Sequence, residues 1–109
     1  MNKPGYTYNA LVNRVVDGDT VILMVDMGFE VWSTQKFRLA YINTPEKSAG
    51  APWQAATDRL RALLPAGGDC FVKSLGKDKY GRWLGEVHVG DVSVNQTLLD
   101  EGLAVPYGR

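Results

Sequence analysis

Two well-separated segments hold the side chains of this chain that are equipped for chemistry. The first contains Asp17-Gly18-Asp19-Thr20, then Phe37-Arg38-Leu39, then Asn43-Thr44-Pro45-Glu46; the second is Asp78-Lys79-Tyr80-Gly81-Arg82. Together they offer two arginines, a lone glutamate and a cluster of hard oxygen donors, with no histidine, thiol or serine nucleophile among them. Such a set suits cleavage of a phosphodiester by water with the help of a hard cation. A phosphodiester is anionic and repels hydroxide, so its charge must be neutralised before water can attack. Arginine does this well because its planar fork meets phosphate oxygens bidentately and stays charged at any working pH. A cation held by carboxylate, amide and carbonyl oxygens adds charge and a template for the phosphate. Glu46 follows a proline, where the backbone is stiff and a carboxylate can be aimed. Carboxylates are ionised at neutral pH and accept a proton, an action typically worth ~10²–10⁴ in rate.

The elements that must position these residues are mostly strands. Tyr6 to Val16 is rich in β-branched and aromatic residues, Asp17-Gly18-Asp19 breaks the pattern and Thr20 to Val25 resumes it, which predicts a hairpin. After a turn at Asp26-Met27-Gly28, a third strand is expected from Phe29 to Ile42, with an irregularity near Ser33-Thr34. Pro52 suits the first turn of a helix in which Trp53, Ala56, Leu60, Leu63 and Leu64 share one face, ended by Pro65 and Gly67-Gly68. Asp69 to Leu75 and Trp83 to Val89 read as the fourth and fifth strands. Ser93 and Gln96 form a capping-box pattern for a second helix with Val94, Leu98 and Leu99 inward, closed by Gly102. Five strands with a helix between the third and fourth is the order of an OB-type barrel, mainly β with two helices; other small α+β folds can host the same order.

Composition bounds the answer further. The 109 residues suffice for one domain, 1–109, and 45% of them are hydrophobic. Twelve Lys and Arg balance twelve Asp and Glu, which argues against a strong non-specific hold on nucleic acid while permitting a local basic groove. Cys70 is the single cysteine, so no internal disulfide forms, and it reads as a small buried hydrophobe. The longest apolar run, Val21 to Val25, is too short to span a bilayer, and Met1-Asn2-Lys3-Pro4 lacks the apolar stretch of a signal peptide. A soluble, cytoplasmic monomer without membrane contact is expected. His88 reads as a rim residue, and Trp53 is expected to pack in the core.

In this order the blocks resemble the staphylococcal nuclease (thermonuclease) family. The resemblance rests on Asp17-Gly18-Asp19-Thr20-Val21, on Arg38-Leu39 with Asn43-Thr44-Pro45-Glu46, on Asp78 through Gly85, and on Val94-Asn95 with Leu98 and Gly102-Leu103-Ala104. It implies an OB-fold barrel that hydrolyses DNA and RNA with Ca²⁺. By position, Asp19 and Asn43 would be side-chain metal ligands, with Thr44 adding its backbone carbonyl. Glu46 would be the general base, Arg38 and Arg82 would grip the scissile phosphate, and Lys79 and Tyr80 would hold a flanking phosphate. Mn²⁺ or another hard cation is an alternative at an amide-containing site.

Four departures qualify that expectation. Asn43 stands where the best-known members carry Asp, which predicts weaker Ca²⁺ binding. The segment between Glu46 and the first helix is short, the sequence to Arg109 has no counterpart of the family's third helix, and the net charge is neutral. Each block also has an ordinary reading: DGD as a plain hairpin turn, Asp78–Arg82 as a solvated turn, Arg38 as an ion-pair partner of Glu46. The leading expectation is therefore a calcium-dependent, sequence-tolerant nuclease with single strands favoured. Its rival is a catalytically weak or inactive nucleic-acid-binding module, and a protein-interaction barrel comes third.

Overall fold

The computed structural model describes residues 6–107; the Met1–Pro4 reading and the last two residues of the chain lie outside them. β1 (Tyr6–Asp17) and β2 (Thr20–Asp26) form the expected hairpin, paired from Ala10↔Val25 to Asp17↔Thr20. β3 (Trp32–Leu39) pairs with β2 in unbroken register from Asp26↔Trp32 to Thr20↔Arg38. The third strand thus starts later than its apolar residues suggest. Phe29 and Glu30 take φ of 55° and 60°, and Met27 N–H and Val31 N–H close the turn on Val31 O and Gly28 O. The irregularity expected near Ser33-Thr34 lies instead in β1, at Val12/Arg14 and Val15/Asp17, where extra residues bend the strand.

β3 also ends early. The chain reverses at Ala40-Tyr41, with Tyr41 at φ 66°, into the two-residue β4 (Ile42–Asn43). After a single 3₁₀ turn at Lys47–Ala49 comes α1 (Ala51–Leu63), with Pro52 in its first turn as expected. β5 (Asp69–Lys77), β6 (Trp83–Val89), β7 (Val92–Ser93), α2 (Val94–Asp100) and β8 (Val105–Pro106) complete the order.

Strands run β3-β2-β1-β5-β6-β7 in the sheet, and a parallel pairing of β3 with β6, Phe37↔Trp83 to Leu39↔Gly85, closes the five long strands into a barrel. With two helices this is an OB-type architecture. Gly85 makes the closing seam possible: a Cβ there would lie 2.8 Å from Val72 Cγ2 and 2.9 Å from Phe37 Cδ2. Inside the ring Val21, Leu23, Leu39, Val72 and Val87 meet Leu60 and Leu64 of the α1 side and Val94 and Leu98 of α2, all fully buried. Each such side chain contributes about 1.5–3 kcal/mol of transfer free energy.

α2 carries half of its expected capping box. Ser93 Oγ accepts from Gln96 N–H at 3.2 Å, but the Gln96 amide runs down the helix to Asp100 at 2.8 Å instead of reaching back. Asn95 belongs to the block that carries the resemblance, but the sequence pattern assigns its side chain no role. Its side chain is buried, donating to Ala40 O and Gly85 O and accepting from Val87 N–H, so it ties α2 to both edges of the seam. Cys70 is buried in β5 as expected, and burial, with Asp69 adding to it, pushes its thiol up to about 11. His88 stacks on Phe71 at 5.2 Å beside Glu86, consistent with a rim position.

Candidate active site

The β1–β2 turn places two carboxylates side by side because Gly18 has no side chain. A Cβ at Gly18 would sit 2.8 Å from Ala56 Cβ and 2.9 Å from Thr44 Oγ1, so α1 and the Thr44 segment pack directly on the hairpin. Asp17 Oδ1 accepts from the Asp19 N–H at 3.2 Å. Burial pushes the Asp17 carboxyl up, and the adjacent Asp19 pushes it further. Both effects disfavour the charged form of Asp17.

Arg38 is the cation beside Asp19. It pairs with Thr20 across β2–β3, and its side chain is only 10% exposed. Nη1 donates to the Leu39 and Ile42 carbonyls at 3.0 and 2.9 Å, and Nη2 reaches Asn43 Oδ1 at 3.1 Å and Asp19 Oδ2 at 3.6 Å. One guanidinium nitrogen therefore joins two of the expected metal donors. Thr44 N–H leans on the same Asp19 oxygen at 3.4 Å, which brings the third donor residue to the cluster. Among the described residues no three His, Cys, Asp or Glu side chains gather. The side-chain oxygens brought together are the Asp19 carboxylate and the Asn43 amide, hard oxygens of the kind Ca²⁺ takes. The residues present fit such an ion, with one negative charge where two carboxylates would give two.

The second block folds around Asp78. Its Oδ1 accepts from the Tyr80 and Arg82 amides at 2.8 and 2.9 Å, and Oδ2 takes Arg82 Nε at 2.8 Å. Burial alone would push this carboxyl up; the two amides and the guanidinium outweigh it and hold it below its ordinary value. Arg82 and Lys79 both lie over the Tyr80 ring, at 5.5 and 5.4 Å. Arg38, Arg82, Lys79 and Tyr80 line one cavity of about 200 Å³.

Tyr41 and Tyr107 line the same cavity, and the sequence reading assigned neither to it. β8 pairs with β4, and Tyr107 N–H donates to Tyr41 O at 2.9 Å, so Tyr107 lies over the Arg38 guanidinium at 5.1 Å. Two-residue strands leave no periodic pattern; the available signal was an aromatic directly after a proline. Glu46 is exposed at the start of the 3₁₀ turn, where its carboxylate makes no hydrogen bond or ion pair with a described residue, and it does not line the cavity. Trp83 donates from Nε1 to Gln35 at 3.1 Å and packs on the core, which makes it structural.

A barrel with this donor cluster at the β1–β2 turn and paired arginines across one cavity has matches of known kind. The sequence profile described as "Staphylococcal nuclease homologue" matches residues 36–109. This chain belongs to the staphylococcal nuclease homologue family. It is 36% identical over 98 residues to a protein of Escherichia coli O157:H7 named as an uncharacterized endonuclease, a match covering 88% of the chain and 59% of that protein. Endonuclease YncB of Bacillus subtilis (strain 168) is 34% identical over 105 residues, with 88% and 46% covered. The thermonuclease of Staphylococcus intermedius is 34% identical over 100 residues, with 86% and 56% covered. The chain thus spans about half to three fifths of the length of these staphylococcal nuclease relatives. Among the described residues no helix is long and apolar enough to cross a membrane.

Proposed function

We propose that this member of the family hydrolyses phosphodiester bonds of single-stranded DNA or RNA, with Ca²⁺ or another hard divalent ion bound by Asp19, Asn43 and the Thr44 carbonyl. The observation that carries the reading is the Arg38 hub, which gathers the expected ligands on one side and faces the cavity shared with Arg82 on the other. A bound divalent ion would neutralise phosphate charge and orient the scissile group. Arg38 and Arg82 would hold the non-bridging oxygens as negative charge builds on them. Lys79 and Tyr80 would seat the neighbouring nucleotide. Glu46, whose carboxylate is unpaired among the described residues, would take a proton from the attacking water. Contacts made to phosphate carry no sequence information, so the cleavage would be sequence-tolerant.

The test is cleavage of a fluorescent single-stranded oligonucleotide with Ca²⁺, with Mn²⁺ and with chelator, alongside Glu46→Ala. Metal-dependent cleavage that collapses in the variant supports the reading; cleavage indifferent to both chelator and the variant sinks it. A second reading, a nucleic-acid-binding barrel without cleavage, draws on one observation. Arg38 Nη1 is committed to two backbone carbonyls and Nη2 to a neutral amide, as in an arginine that serves the fold. Binding that survives chelation, without cleavage under either metal, would select it.

A further inference from the structure

Trp53 does not sit where its helical spacing puts it. The first turn of α1 is largely exposed at Ala51, Pro52, Gln54 and Ala55, and the first buried residue is Ala56. Trp53 is half-buried and is not among the residues packed on the core. Its ring instead meets the Lys47 ammonium, 5.7 Å from the ring centroid. Lys47 directly follows Glu46 and opens a 3₁₀ turn that buries nothing.

These two residues are tied to the reactive end of the barrel. One helical turn after Trp53, Ala56 abuts the glycine between Asp17 and Asp19, and Thr44 presses on the same point. The Glu46 side of the site therefore carries an aromatic with a lysine. The arginine side carries another such pair, Tyr80 with Lys79.

We propose that Trp53 and Lys47 form a second nucleotide subsite, binding the base and phosphate of the residue on the Glu46 side of the scissile bond. The Tyr80–Tyr107 cavity takes the nucleoside on the other side. This rests on the nuclease reading above and extends it from one nucleotide to two. Stacking on an aromatic face is tolerant of base identity, and a lysine supplies a point charge to a phosphate without demanding a fixed fork. A chain of zero net charge brings no overall basic excess to hold a strand, so local contacts such as these carry the affinity. Trp53 is half-buried, so part of its ring stays exposed beside the Lys47 ammonium.

The test uses octathymidylate with chelator present, so that nothing is cleaved. Binding is followed by fluorescein anisotropy of a labelled strand and by tryptophan emission with an unlabelled one. In the wild-type chain a saturable quench of emission is expected. In Trp53→Leu that part of the quench disappears and affinity falls about tenfold, as loss of one stacked base predicts. Lys47→Ala retains a quench with affinity reduced a few-fold. A quench and affinity equal to wild type in Trp53→Leu overturn the subsite, assign the Lys47–Trp53 contact to loop stability, and leave the nuclease reading standing. Absence of any anisotropy change, with chelator or with Ca²⁺, overturns both.

Discussion

Arg38 and Asn43 share a hydrogen bond of 3.1 Å in which the guanidinium donates to the amide oxygen, so one of the expected metal ligands is also an anchor for the phosphate arginine. A neutral amide weakens both partnerships relative to a carboxylate. Asn43→Asp should tighten Ca²⁺ binding by about tenfold, because ligand charge sets the affinity of such sites. Isothermal titration calorimetry reads this directly. An unchanged dissociation constant would remove residue 43 from the coordination shell.

Asp78 holds Arg82 by its Nε and the surrounding turn by two amides. Asp78→Asn can keep the amide bonds through its remaining oxygen but faces Arg82 Nε with a donor. Cleavage of a single-stranded substrate should drop by ~10²-fold, the usual cost of misplacing a catalytic group by an ångström, out of proportion to a small fall in melting temperature. Because the carboxyl is held below its ordinary value, the pair's contribution to stability is present above that value and is lost as pH falls through the lower folded one. A variant with full activity would show that Arg82 is aimed by something else.

Gly18→Ala inserts a methyl group where Ala56 and Thr44 already lie within 2.9 Å. Overpacking of this kind costs about 1–3 kcal/mol. The strain falls on the junction of Asp19, Thr44 and α1, so Ca²⁺ affinity should fall together with stability. Urea denaturation and calcium titration of the same variant check the coupling; a loss in one without the other would contradict it.

Burial raises the Cys70 thiol from 9.0 to about 11, so the fold favours its protonated form. The stabilisation is complete below pH 9 and is lost as pH rises from there to about 11. It amounts to something on the order of 2 kcal/mol. Urea midpoints at pH 8 and pH 10.5 should therefore diverge more in the wild-type chain than in Cys70→Ala. Equal divergence would assign the alkaline slope to other groups.

Much of this arrangement is legible in the amino-acid order, and the remainder has physical reasons for being hidden. The hairpin carrying Asp19 announces itself through alternating β-branched residues around DGD, and Arg38 and Asn43 follow as neighbours once β3 pairs in register. Gly18 reads as a turn residue, yet its importance lies in a contact with Ala56, a residue of α1 that no local pattern connects to it. Tyr107 reaches Arg38 through strands of two residues, below the length at which periodicity speaks. Trp53 obeys helical spacing, but spacing fixes the face of a helix and says nothing about which turn reaches the core. Asn95 is given no role by the local pattern and is a buried tie across the seam.

The pairing of β8 with β4 stands apart from the barrel sheet. All five barrel strands lie between Tyr6 and Val89, and α2 follows them, so the core is built from residues that precede Val105. Tyr107, which covers the guanidinium of Arg38, follows that core and is held by the β4–β8 pairing. A chain clipped before Val105 would retain its barrel and its hairpin carboxylates but leave Arg38 uncovered. Completion of the site is in this sense separable from completion of the barrel, because it rests on a segment that adds almost nothing to the core.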